Sequence, residues 1–282
     1  MFHESLKGGY DISYADALKH VLQPDDMVVF YKYGKILLNF INDTDISIPC
    51  YNEAAMECGE NAKDYRILFL VGARGVYLYV GSREPKRFKQ FPVSRLMELE
   101  PDDAVFVAIT ASHLAYWYDV NRYCGRCAAS LRQKEDERAM VCPKCGQVIY
   151  PRISPVIIVA VTDNDRLLLT RYNKKHTGYQ KYALVAGFVE TGETLEMAVA
   201  RELWEEVGLK VKNIRYYKSQ PWGFSGSLLM GFYAEVDGSR KIKIEEDELS
   251  EGKWFFRNEI PEGNSTASLT WDMIEKFRKG ID

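Results

Sequence analysis

Apolar positions recur along the chain with two periods, and the clearest is helical. Leu195, Val199 and Leu203 stand at i, i+4 and i+8 in a run from Thr194 to Val207 that contains no Pro or Gly and ends at Gly208. The spacing predicts an amphipathic helix there, its apolar stripe facing a core. Residues 104–118 have helical composition with aromatics near the end, and 271–279 reads as a closing helix. Short apolar runs bounded by turn residues predict strands elsewhere. Runs 27–31 and 35–40 flank Lys-Tyr-Gly, and 67–71 and 76–80 flank Gly-Ala-Arg-Gly, so both pairs read as β-hairpins. Later runs at 156–162 and 166–171, joined by Asp-Asn-Asp, and at 182–186, 210–219, 228–236 and 252–256 supply a further sheet. The pattern is α+β: a mixed α/β domain over 1–118 and, from 150 to 282, a mixed sheet with helices against it.

The turn Gly-Ala-Arg-Gly is followed by no helix signal, which makes it a plain hairpin turn and not a phosphate loop. With 282 residues, 46% of them hydrophobic and 27% charged, the chain has enough apolar material for more than one core. A net charge of −3 gives no general field for nucleic acid or anionic membrane, so an anionic ligand must meet local cations or metals. The first ten residues carry no apolar run of signal-peptide length, and no segment approaches the roughly 20 apolar residues of a membrane span. The expectation is a cytoplasmic protein.

Candidate chemistry sits in two places. Glu202, Glu205 and Glu206 spread over about 100° of the 194–207 helix, off its apolar stripe. Such a face is either solvated or gathered around a cation that relieves the repulsion. The preceding turn, bracketed by Gly187 and Gly192, adds Glu193, and Arg201 can pair with Glu205 one turn on. Upstream, Cys124-Gly-Arg-Cys127 and Cys142-Pro-Lys-Cys145 form two C-x2-C knuckles separated by fourteen residues. Four thiolates with no fifth donor suit a structural Zn²⁺, in a ribbon over 119–149. The charge-balanced segment between the knuckles makes that ribbon a scaffold. Cys50 and Cys58 fit no metal spacing and read as ordinary buried thiols.

The spacing G-x5-E-x7-R-E-U-x-E-E-x-G-U, U being apolar, is filled at all nine fixed positions from Gly187 to Leu209. It resembles the signature of the Nudix hydrolases, an α/β/α sandwich fold in which helix carboxylates bind Mg²⁺ or Mn²⁺ and water attacks a nucleoside diphosphate. A zinc ribbon directly before it resembles the NADH pyrophosphatase branch. So do Tyr150-Pro-Arg-Ile-Ser-Pro, Ala186-Gly-Phe-Val-Glu-Thr-Gly-Glu, and Ser219-Gln-Pro-Trp-Gly-Phe-Ser-Gly-Ser227 beside that branch's S-Q-P-W-P-F-P-x-S. Gly223 and Ser225 depart from family prolines, which predicts a loosened loop.

That resemblance implies hydrolysis of NADH or NAD⁺ to AMP and nicotinamide mononucleotide, by a homodimer. It assigns the catalytic set Glu193, Arg201, Glu202, Glu205 and Glu206, and metal ligands Glu202, Glu206, Glu248 and the carbonyl of Ala186. It assigns substrate contacts to Glu137, Tyr150, Phe188, the motif Gln220, Pro221, Trp222, Gly223, Phe224, Ser225, Gly226 and Ser227, and Ala267. The same scissile linkage caps some RNA 5′ ends, and Lys174, Lys175 and His176 offer a basic rim for such a strand. A broader dinucleotide or ADP-ribose pyrophosphatase is the alternative substrate range. A non-catalytic nucleotide sensor is the alternative class, opposed by the intact glutamate set.

Overall fold

The computed structural model describes residues 2–4, 6, 10, 11, 14–173, 181–261 and 268–281. These fall into two compact units, one of Phe2–Arg152 with Gly223–Gly226, the other of Ile153–Trp222 with Ser227–Asp282.

Among the described residues the first unit holds three sheets. One has the strand order Tyr10–Asp11, Tyr65–Val71, Arg74–Tyr79, Met27–Val29. Tyr65–Val71 and Arg74–Tyr79 form the expected hairpin, with two residues at its tip. The other expected hairpin is much shorter than its apolar runs. Only Tyr31–Lys32 turns back on Lys35–Phe40, whereas Met27–Val29 lies parallel to Arg74–Tyr79 in a different sheet. The reason is burial: Met27, Val28 and Val29 are all enclosed, so this segment behaves as an inner strand and not as a half-exposed hairpin arm. Buried Asp26 fixes its start by accepting from Gln23 N at 2.7 Å and Gly75 N at 2.6 Å.

Among the described residues this unit has three α-helices: α1 (Tyr14–Ala17), α2 (Tyr51–Cys58) and α3 (Asp102–Val120). Helix α3 has apolar residues around most of its circumference, from Val105 to Tyr118, and is correspondingly buried. Cys58 is buried and Cys50 half-buried, and neither joins a metal-ligating cluster among the described residues. The ribbon contributes three two-residue strands, Arg132–Gln133, Met140–Val141 and Val148–Ile149, antiparallel in register Met140↔Ile149 and Met140↔Gln133.

The second unit is a sandwich of helix, mixed sheet and helix. Its sheet runs Lys210–Trp222, Ser227–Asp237, Ser154–Asp163, Arg166–Tyr172, Leu249–Phe256, and Val185–Phe188 also pairs with Ser154–Asp163. The pairing of Ser154–Asp163 with Ser227–Asp237 is parallel, Val156 opposite Leu229, and the remaining pairings are antiparallel. Alternation on Ser154–Asp163 assigns its two faces. Ile157, Val159 and Val161 pack with Val199, Leu203 and Val207 of α4 (Leu195–Val207), while Val156, Ile158 and Ala160 pack with Met273, Ile274 and Phe277 of α5 (Leu269–Arg278). Burial on both faces explains why this strand is apolar without interruption.

Several boundaries differ by one to three residues. The strand expected at 182–186 forms at Val185–Phe188, because Tyr182 turns its ring onto Phe255 and its hydroxyl to Glu251 at 2.9 Å. The strand expected to stop at 219 continues to Trp222.

Candidate functional site

Helix α4 starts where its sequence specifies. Thr194 Oγ1 accepts from Met197 N at 3.2 Å, and Gly208, at φ +65, closes the end in the left-handed conformation that glycine adopts without penalty. Burial of Val199 and Leu203 fixes the helix's rotation, and this sets where the glutamates point.

Arg201 is the hub of the acidic face. Its Nε and Nη2 donate to the two carboxylate oxygens of Glu193 at 2.7 and 2.9 Å, its Nη1 to Glu202 at 2.8 Å and Glu205 at 3.0 Å, and Nη2 also to the carbonyl of Phe188 at 2.9 Å. One planar guanidinium thus holds the loop, the strand end and the helix in one geometry. The bidentate Arg201 pairing, with Glu190 N donating as well, holds Glu193 down to about 2.

Glu206 stands apart from this network. It is 4% exposed, and its Oε2 has no hydrogen-bond partner among the described residues. Burial, followed by the charges of Glu202, Glu248 and Glu205, pushes its pKa up to about 8. Burial also raises Glu202, against the pull of Arg201 and with the help of Glu205 and Glu248. The Glu202 carboxyl lies against the strand end before the helix: a Cβ added to Gly187 would sit 2.0 Å from Glu202 Cδ. Here glycine is required by close approach.

Glu248 reaches this cluster through a segment whose role its sequence did not advertise. Lys243 N donates to the carbonyl of Val207 and Glu245 N to that of Glu206, both at 2.9 Å. These satisfy the exposed carbonyls at the end of α4. Ile242 and Ile244 pack on the α4 core while the alternating Lys241 and Lys243 do not, a period-two signal in Lys-Ile-Lys-Ile that marks an anchored segment. The chain then turns so that Glu248, and not Asp247, adds its charge to Glu202 and Glu206.

The oxygen-only donor set, the orphaned buried carboxylate oxygen and three mutually repelling carboxylates fit a hard divalent cation. Ala186 lies on the strand opposite Ile158, next to Gly187. In the other unit the Sγ atoms of Cys124, Cys127, Cys142 and Cys145 lie within 4.8 Å of one another, the arrangement of a tetrahedral structural zinc site.

The residues assigned to substrate fall into separate groups. In the first unit Tyr150 donates its hydroxyl to Glu137 at 3.2 Å, and Lys134 pairs with the same carboxylate. Phe188 is exposed at the strand end beside Arg201. Of the motif, Gln220, Pro221 and Trp222 lie in the strand and 223–226 form the turn. Gln220 is 1% exposed, and its Oε1 accepts from Leu269 N at 2.7 Å, at the first turn of α5. Trp222 is partly buried against the α5 core, and Ser227 is buried. A Cβ at Gly223 would lie 2.8 Å from Ile109 Cγ2 and 3.1 Å from the Ile109 carbonyl oxygen. Close packing on α3, and not simply a loosened loop, is therefore what removes the side chain at this position. Ala267 and the basic rim 174–176 lie outside the described residues.

The family model of the NUDIX domain matches residues 151–276, and that of the NADH pyrophosphatase zinc ribbon domain matches 119–150. The chain is 42% identical over 182 residues to an NAD-capped RNA hydrolase NudC from Chromobacterium violaceum, covering 64% of this chain and 68% of that one. It is 39% identical over 206 residues to the protein of that name from Actinobacillus succinogenes, covering 71% and 78%, and 40% identical over 200 residues to the one from Escherichia coli, covering 68% and 76%.

Proposed function

The chain belongs to the Nudix hydrolase family, and from this membership we infer that it hydrolyses the diphosphate of NADH or NAD⁺ to AMP and nicotinamide mononucleotide, and removes the same group from NAD-capped RNA. The observation that carries the catalytic reading is Glu206: a buried carboxylate with an orphaned oxygen among Glu202 and Glu248. A nucleotide sensor has no use for that arrangement.

Glu202, Glu206, Glu248 and the carbonyl of Ala186 would hold Mg²⁺ or Mn²⁺, which would supply positive charge against the diphosphate and make water a better nucleophile. Arg201 fixes the donor geometry, holding Glu202 directly and the loop through Glu193. Glu205, the exposed carboxylate 3.0 Å from Arg201, takes the proton of the attacking water. The water oxygen bonds to one phosphorus, the bridging oxygen leaves on the other product, and two phosphate monoesters result. Exposed Phe188 and the aromatic motif residues Trp222 and Phe224 offer faces for stacking on a base or nicotinamide. Glu137 and Tyr150, which share a hydrogen bond, are assigned to the substrate as well. Among the described residues no helix is long and apolar enough to cross a membrane; a cytoplasmic homodimer is the assembly we assign.

The test is a side-by-side hydrolysis of NADH, NAD⁺, ADP-ribose, diadenosine polyphosphate and 5′-NAD RNA with Mg²⁺ and with Mn²⁺, using Glu206→Gln as control. A kcat/KM for NADH or NAD-RNA well above ADP-ribose is expected. Equal rates across the panel would remove the nicotinamide preference, and turnover by the control equal to the parent would remove the assigned site.

A further inference from the structure

The unit containing the ribbon has a cleft of about 610 Å³ that plays no part in the chemistry above. Its lining mixes apolar side chains such as Leu78, Leu131 and Met140 with tyrosines and cations. Tyr33 and Tyr123 line it while 83% and 66% exposed, an unusual amount of aromatic surface to leave in water. Tyr33 is held there by the tight turn before Lys35–Phe40, in the left-handed conformation at φ 51. Three cations share the lining, Lys32, Arg66 and Arg122, against the single carboxylate of Asp119. Lys32 pairs with Glu84 and Arg122 with Asp119. Arg66 lies 4.4 Å over the Tyr118 ring and makes no ion pair among the described residues, so its charge is available to a ligand. In a chain of net charge −3 this is a local excess of positive charge.

Exposed rings beside cations, one of them without an ion pair among the described residues, are the recognition chemistry of single-stranded nucleic acid. Bases stack on the rings without regard to sequence, and phosphates meet the cations. A purely structural cavity would not keep two tyrosines in solvent, and a pocket for an apolar ligand would not carry three cations. We propose that this cleft binds single-stranded RNA, a property that does not depend on the NAD-cap reading of the catalytic site.

The experiment uses the full chain and two ligands. A fluorescein-labelled, uncapped single-stranded RNA of about a dozen nucleotides reports the cleft by anisotropy, and NADH turnover reports the catalytic site. Tyr33→Ala/Tyr123→Ala removes exposed side chains only. It should weaken RNA binding at least about tenfold, since each lost stack is worth roughly fivefold or more. Tyr33→Phe/Tyr123→Phe should restore it, and NADH kcat/KM should stay at the parent value in both. Arg66→Gln should lower the slope of log Kd against log salt by about 0.7, one phosphate contact on a single strand.

Unchanged RNA binding in the Ala pair overturns the proposal. So does an equal fall in NADH turnover, which would make the tyrosines structural, or displacement of the RNA by equimolar AMP, which would make the cleft a mononucleotide pocket. If uncapped RNA binds as described while capped RNA is not hydrolysed, the RNA site stands and the cap reading fails.

Discussion

Replacing Glu206 with Gln should stabilise the metal-free protein at neutral pH while abolishing its response to divalent cations. An ordinary glutamate titrates near 4.5, whereas burial and three neighbouring carboxylates move Glu206 to about 8. Between those values the folded chain retains a proton that the unfolded chain releases, so unfolding is favoured as pH rises. The stabilising contribution is complete below about pH 4.5 and is lost by about pH 8. Over this shift the loss is about 1 kcal/mol at pH 5 and about 3 kcal/mol at pH 7. Gln has the same shape and no proton to lose. Whatever its orphaned amide costs is independent of pH, so the signal is the difference between the two proteins as a function of pH. Thermal unfolding in chelator should place the variant's Tm closer to or below the parent's at pH 5 and shift the difference by roughly 5 °C or more in its favour by pH 7. Adding Mn²⁺ should raise the parent and leave the variant where it was. Parallel Tm curves from pH 5 to pH 8 would show that Glu206 carries its charge without cost, and the argument for a cation at that carboxylate would collapse.

Three other outcomes follow from the packing. Gly187→Ala forces the Glu202 carboxyl from its place, and should reduce kcat at least about tenfold at saturating NADH with little change in Tm; parent-level turnover would show that the close approach does not matter. Gly223→Pro, the residue of the related motif, should cost about 1–3 kcal/mol through the clash with Ile109, and pairing it with Ile109→Ala should recover part of that loss in a double-mutant cycle, a strictly additive pair being the contrary result. Metal analysis should find one zinc per chain, lost with Cys142→Ser together with a lower Tm; a zinc-free parent of equal stability would refute the structural site.

The parts legible in sequence were those in which one local rule decides the outcome. Helix α4 was announced by its stripe and its Gly208 stop, and the ribbon by its thiol spacing. The two faces of Ser154–Asp163 were harder to read, because an uninterrupted apolar run hides its alternation until helices are known on both sides. Met27–Val29 was assigned to the wrong partner because adjacency favours a hairpin, while its pairing with Arg74–Tyr79 depends on residues nearly fifty positions away. In the site, the carboxylates could be counted, but not their inequality. Nothing in the spacing tells that Glu193 is held by a guanidinium and Glu206 is buried without a partner. The cleft with Tyr33, Arg66 and Tyr123 was invisible for the same reason, its members being scattered over three stretches of unremarkable sequence.

The hydrogen bond from Leu269 N to Gln220 gives one residue of the nonapeptide 219–227 a structural duty. Gln220 is committed to seating the last helix, so its retention among relatives would record a folding constraint even if substrates diverged. Two enzymes can share this residue and differ in what they cleave. Loss of activity in a Gln220 variant would accordingly be ambiguous between recognition and the docking of α5, and evolutionary change in substrate range is expected to run through the positions around it.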